Sequence, residues 1–432
     1  MNSSGMTPYR IQRQTLACGL RVILLYRPGI LRKFAIWSVP FGSLHRRLPA
    51  EFTRRDLPAG IAHFLEHQLF RQEDGSSVSD AFATLGVQDN AFTSYDMTGY
   101  HFRCSANFHQ ALRLLLQFTA SPYFSEESVA NEKEIITQEL LMYRDMPEAV
   151  LDLNLRQALY GTDPAGEDIG GTPESIATIT SDLLSSCQRA FYQPRQAVLT
   201  VVGDISLAEV SAICEEVYEG IIADPIPYAE SFRLSAESVS PGSAGLPVHP
   251  VVQQQIPLPR PLFALGIKEE NLAEDPWLLL QRQIESDFVV ELICGKSADG
   301  YWDLYRRGLI DNTFTAFYHS LGNAAHLQIS SECEDPGLLE ENLTDLIFTR
   351  GRQSISDEAI QRLKRKRMGD YIVGFEDFEG VATSLASAEH LDLPFEELLR
   401  MVTLVDRPSL LRRYEELFRR QQMSTATLNR RD

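Results

Sequence analysis

The segment "AGIAHFLEHQLF", residues 59 to 70, sets His63 and His67 four positions apart with Glu66 between them. The whole chain of 432 residues holds only nine histidines. The run is apolar-periodic, which predicts a short helix. Residues four apart on a helix stand one turn above each other, so the two imidazoles can converge on one ion. Glu66 shares that face, and its carboxylate would sit beside the metal without having to bind it. Two imidazoles and an open position suit Zn²⁺, provided a third ligand comes from another rigid element. "NEKEIITQEL" supplies the candidate. Glu132 and Glu139 are seven apart, two helical turns, and face the same way, while Glu134 points elsewhere. Glu139 would close the cage, and Glu132 behind it would accept a hydrogen bond from a ligand imidazole. The competing reading is a chance histidine pair and two acidic residues at a spacing common on solvated helix faces.

The elements that must position these groups follow from periodicity and turn residues. "LRVILLY" and "KFAIWSV" read as strands around a Pro-Gly turn, and "SVSDAFATLG" as a helix. "DNAFTSY" and "GYHFRCSA" read as a strand pair, followed by the helix "FHQALRLLLQFTA" and the long helical period of "SEESVANEKEIITQELLMYRDMPE". "AVLTVVGDI" is a continuous apolar run, hence a buried strand. Residues 221–250 are rich in Pro, Ser and Gly without a sustained period and read as a linker.

Beyond the linker the order of elements repeats. A strand ("PLFALGIKE") leads to a long helix at 276–294, a shorter helix, two strands, and helices at about 336–350 and 356–373. The expected fold is therefore α+β, with two similar α/β halves, 1–220 and 251–432, each a mostly antiparallel sheet covered by helices. The helix at 276–294 contains no histidine, so metal chemistry belongs to the first half. The carboxyl-terminal "RRYEELFRRQQMSTATLNRRD" reads as a charged helix fraying into a solvated basic tail.

A formal net charge of -19 argues against nucleic acid as a partner, since that would need a basic face. The six cysteines are scattered with no CxxC pair and read as reduced thiols. The amino terminus has no apolar signal core, and no run approaches the roughly 18 apolar residues of a membrane span. A cytoplasmic location is the expectation. His101, His109, His319, His326 and His390 have no second ligand at helical spacing and read as packing or surface residues.

H-x-x-E-H followed some 70 residues later by a glutamate pair resembles the inverzincin metallopeptidases of the pitrilysin, insulinase and mitochondrial-processing-peptidase (M16) family; His67 to Glu139 spans 72 positions. "NAFTS", "EKEIITQELLMYRDMPE", "FYQPRQAVLTVVGDI" and "GKSADGYWDLYRRGLIDNTF" extend the resemblance over nearly the whole chain, and it is strongest to the zinc-bearing subunit of short bacterial paired peptidases. The resemblance implies a zinc-dependent endopeptidase, with His63, His67 and Glu139 as ligands, Glu66 as general base and Glu132 supporting a ligand. It also implies that Asn90, Ala91 and Phe92 lie on an edge strand onto which a peptide substrate adds. A chain of this length would form half of a clamshell, faced by a zinc-less homologous subunit or by a second copy. The arginine and tyrosine that relatives direct at the substrate are not in register here. Arg306 and Arg307 lie too close to Gly308, with Asn312 or Phe314 where tyrosine is expected. That departure favours a heterodimer over a homodimer. The rival readings are a non-catalytic scaffold subunit of the same fold and a zinc-dependent module that captures peptides without cleaving them.

Overall fold

A six-stranded sheet carries the first half of the chain: β1 (Arg10–Thr15), β2 (Arg21–Tyr26), β3 (Lys33–Val39), β4 (Gln88–Thr93), β5 (Thr98–Cys104) and β6 (Val198–Gly203), in the order β1-β2-β6-β3-β5-β4. The computed structural model describes residues 9–49, 55–221, 245–270, 272–273, 275–322 and 324–431. Most of the expected linker, residues 222–244, lies outside them. All pairings are antiparallel except β2 with β6. β2 and β3 flank the Pro-Gly turn but are not neighbours, because β6 lies between them. Every residue of β6 is buried, which suits its unbroken apolar run.

The second sheet has β7 (Val251–Ile256), β8 (Leu262–Lys268), β9 (Thr315–Leu321), β10 (Ala324–Glu332) and β11 (Met423–Arg430), in the order β7-β11-β8-β10-β9. β7 and β11 are parallel and the remaining pairs antiparallel. Laid along the first sheet, β7, β11, β8, β10 and β9 take the places of β2, β6, β3, β5 and β4. The fold is thus two α/β halves of one topology, with β1 the extra strand of the first.

β11 replaces the solvated tail expected at the carboxyl terminus. Its central residues, Ser424 to Leu428, are buried between β7 and β8. The arginines on both sides disguised a strand whose alternating Thr425 and Thr427 suit a sheet.

The compact units are not the two continuous halves 1–220 and 251–432. Residues 141–167 belong to the second unit and residues 371–396 to the first. In the second unit, helix Pro147–Tyr160 packs on β8 and β11, where Tyr160 Oη lies 3.0 Å from His326 Nδ1. In the first, helix Phe378–His390 packs on β3 and β6, with His390 Nε2 2.9 Å from Ser38 Oγ. Arg21 fixes the end of that helix by donating to the Glu389 carbonyl at 2.7 Å. A helical period reveals that a face must be buried, but not which sheet will cover it.

The first core is rich in aromatic rings. Phe41 stacks on Phe191 with centroids 4.0 Å apart, and Trp37 Nε1 donates to Tyr218 Oη at 3.1 Å. In the second unit, Arg413 is fully buried and its guanidinium forks onto the Glu269 carboxylate at 3.0 and 2.5 Å. Both oxygens of that buried carboxylate are thereby satisfied. All six cysteines are free thiols. Among the described residues, no helix is long and apolar enough to cross a membrane.

Candidate metal centre

Helix Ile61–Leu69 starts at Gly60, which adopts the left-handed conformation with φ 83°. A Cβ there would stand 2.2 Å from the Gly170 carbonyl oxygen, so the loop can cross the helix start only over glycine. Ile61, Phe64, Leu65 and Leu69 are buried on one side of the helix. That burial turns His63 and His67 towards the neighbouring helix Glu126–Arg144. Val129, Glu132, Ile136 and Leu140 form the buried stripe of this second helix.

The two helices bring four predicted groups together. His67 Nε2 lies 3.4 Å from Glu139 Oε2, and His63 Nε2 lies 3.8 Å from the same oxygen. One ligand atom from each of His63, His67 and Glu139 falls within 4.8 Å of the others. Tetrahedral Zn²⁺ with bonds near 2.0–2.2 Å holds its ligand atoms roughly 3.3 Å apart, close to the two histidine–glutamate separations of 3.4 and 3.8 Å. Among the described residues it is the only such His, Cys, Asp or Glu cluster. On its other nitrogen, His67 Nδ1 faces Glu132 Oε1 at 3.0 Å. Glu132 thus holds the ring through the nitrogen turned away from Glu139.

The electrostatics of the three groups fit a cation. Burial, and then the charge on His67, push the His63 imidazole down to about 4, so it is neutral and able to ligate. Burial alone would lower His67 too. Its hydrogen bonds to Glu132 and Glu139 outweigh that and raise it to about 9. Glu139 is held below the usual carboxylate range, first by His67. His63 Nδ1 is buried without a hydrogen-bond partner, so its ring has no strong protein contact beyond the one it can make through Nε2. Two imidazoles and a carboxylate, with a proton between them, form a donor set in which a divalent ion can replace that proton.

Glu66 lies outside the triangle. It is buried, and Oε2 accepts a 2.5 Å hydrogen bond from Thr93 Oγ1. Burial raises its pKa, and the Thr93 bond opposes the shift. Thr93 ends β4, which carries Asn90, Ala91 and Phe92. β4 pairs only with β5 and forms one edge of the sheet. Asn90 is exposed, while Ala91 and Phe92 are half-buried.

Two residues of this site carried no role in the sequence reading. Thr93 was visible only as part of "NAFTS". Arg71 lies beyond the helix end, four positions after His67, and its Nε donates to Glu132 Oε2 at 2.8 Å. The four-residue spacing was the available signal. In the second unit, Arg306 and Arg307 are exposed; Arg307 lies 3.4 Å from Asp303, and Arg306 donates to the Trp302 carbonyl. Of the isolated histidines, His101 and His326 are buried packing residues, His390 is half-buried against Ser38, and His109 is exposed.

Residues 54–173 match the family described as Insulinase (Peptidase family M16), and residues 178–367 match the Peptidase M16 inactive domain. Over 402 residues the chain is 30% identical to "Uncharacterized zinc protease YmfH" of Bacillus subtilis, covering 93% of this chain and 91% of that one. It is 25% identical to the crystal structure of a putative M16-like peptidase from Alicyclobacillus acidocaldarius, with a TM-score of 0.89 and coverage of 98% and 99%. The periplasmic protease PqqL of Escherichia coli shares the fold at 19% identity and a TM-score of 0.74; the match covers 98% of this chain but 48% of PqqL.

Proposed function

Since the chain belongs to the insulinase-type M16 peptidase family, we propose that it is a zinc-dependent endopeptidase whose metal is held by His63, His67 and Glu139. The observation that carries this reading is the convergence of both Nε2 atoms on Glu139 Oε2, at 3.4 and 3.8 Å. A zinc ion at these atoms supplies a Lewis acid that lowers the pKa of water and polarises the scissile carbonyl. Glu66 is the general base. It takes a proton from the attacking water and returns it to the departing amine nitrogen. With Oε2 occupied by Thr93, Oε1 is the oxygen left for that proton.

The substrate is a peptide or an unstructured segment, taken up as an added strand on the open edge of β4. Main-chain hydrogen bonds along Asn90, Ala91 and Phe92 would hold it without demanding one sequence. The second half, whose helix Pro276–Cys294 contains no histidine, provides no second metal site in this reading. The facing half of the chamber comes from another subunit, a zinc-less homologue by preference because Arg306 and Arg307 are not in the family's register. The match to about half of PqqL supports a paired arrangement. Clearance of peptides and maturation of a precursor both fit this chemistry, and cytoplasmic residence remains part of the proposal. A scaffold subunit has no use for the full set of His63, Glu66, His67 and Glu139.

The test is Glu66→Gln. Peptide hydrolysis should fall by about 10²–10⁴-fold with zinc content intact. Loss of zinc along with activity would make Glu66 a ligand instead. Undiminished hydrolysis would remove it as the base.

A further inference from the structure

We propose that Arg71 is a positioning residue of the metal centre: its hold on Glu132 fixes which nitrogen of His67 is free to bind the ion. The proposal rests on the reading of this site as a zinc centre.

The Glu132 side chain is only 2% exposed, and its two oxygens have different partners. Oε1 lies 3.0 Å from His67 Nδ1, and Oε2 accepts from Arg71 Nε at 2.8 Å. A carboxylate engaged at both ends cannot rotate without breaking a charge-assisted hydrogen bond. Held in this way it remains an acceptor for Nδ1–H, so the proton an ion displaces from His67 is the one on Nε2. That nitrogen is the one facing Glu139 and His63.

Arg71 is itself fixed by the backbone. Its N–H donates to the Gln68 carbonyl at 3.1 Å, and the residue forms an isolated antiparallel bridge with Ser77. The helix therefore stops at Leu69, and the chain turns back to present the guanidinium to the helix opposite. The Arg71 side chain is 37% exposed, so it keeps contact with water while meeting a buried carboxylate. Such a cation offsets the cost of a buried anion without itself being fully desolvated.

Without Arg71, Oε2 becomes a buried acceptor with no partner. Glu132 would then be free to rotate towards another donor, which takes Oε1 away from Nδ1, and the ring is no longer held in one orientation towards the cage. A salt bridge that merely ties two helices together would also be lost, but the orientation of His67 would not follow its charge.

The test uses the full chain, stripped of metal and titrated with zinc against a chromophoric chelator. Arg71→Met should bind zinc about tenfold or more weakly. Arg71→Lys places an ammonium on a similar stem, and should recover affinity to within about threefold of the unsubstituted chain. Thermal melts of the metal-free proteins report folding separately, and Arg71→Gln replaces the Met variant if that one does not fold. Zinc affinity in Arg71→Met within about twofold of the unsubstituted chain, or a weakening that Arg71→Lys does not relieve, overturns the proposal. Failure of the unsubstituted chain to bind zinc overturns the zinc reading beneath it, which is a separate and distinguishable result.

Discussion

Thr93 Oγ1 donates a 2.5 Å hydrogen bond to Glu66 Oε2, joining the last residue of edge strand β4 to the middle of the histidine helix. The strand proposed to receive the peptide therefore also orients the proposed base. Thr93→Val keeps the shape and removes the donor. It should lower kcat by about tenfold or more, leave KM and zinc content close to unchanged, and be rescued by Thr93→Ser. Steady-state hydrolysis of an unfolded peptide checks it. A kcat unaffected by Thr93→Val would mean that packing alone orients Glu66.

Zinc binding should release about one proton per ion at neutral pH. With no metal bound, His67 is raised to about 9 and His63 lowered to about 4, so only His67 is doubly protonated at pH 7. The ion must displace that proton. Raising the pH removes the competitor, and affinity should rise by about tenfold per pH unit until the pH approaches that of His67. Calorimetry in buffers of different ionisation enthalpy measures the release directly. Binding without proton release would contradict the arrangement of His67 between Glu132 and Glu139.

The exchanged helix Phe378–His390 should be acid-labile. Burial, and then Arg21, lower His390 to about 3, far below an exposed imidazole. The unfolded chain therefore binds a proton that the folded chain refuses. This contribution to stability is complete above about pH 6.5 and is lost as the pH falls towards 3. His326, also lowered to about 3 by burial, adds the same sign in the second unit. The thermal midpoint should drop across this window, and His390→Gln should flatten the drop. An unchanged slope in that variant would assign the acid sensitivity elsewhere.

What the sequence disclosed depended on how local each signal was. His63, Glu66 and His67 lie within one helical turn and a half, and Glu132 and Glu139 share a face by period alone, so their meeting could be anticipated. The repeated order of strands and helices likewise carried the two-half fold. Thr93 reaches Glu66 across a strand-to-helix contact that no spacing encodes. Arg71 lies past the helix end, where periodicity stops informing direction. The crossings of helices Pro147–Tyr160 and Phe378–His390 were hidden because an amphipathic face does not name its partner sheet. β11 was hidden by flanking charge, although the place of β6 in the first half implied that the second half needed a closing strand.

The most direct test of the central claim is metal analysis of the chain purified without chelators, alongside Glu139→Ala. The expected result is about one zinc per unsubstituted chain and little or none in the variant, because a His-only pair leaves the cage open. A zinc-free unsubstituted chain, or a full zinc complement retained by Glu139→Ala, would contradict the three-point site.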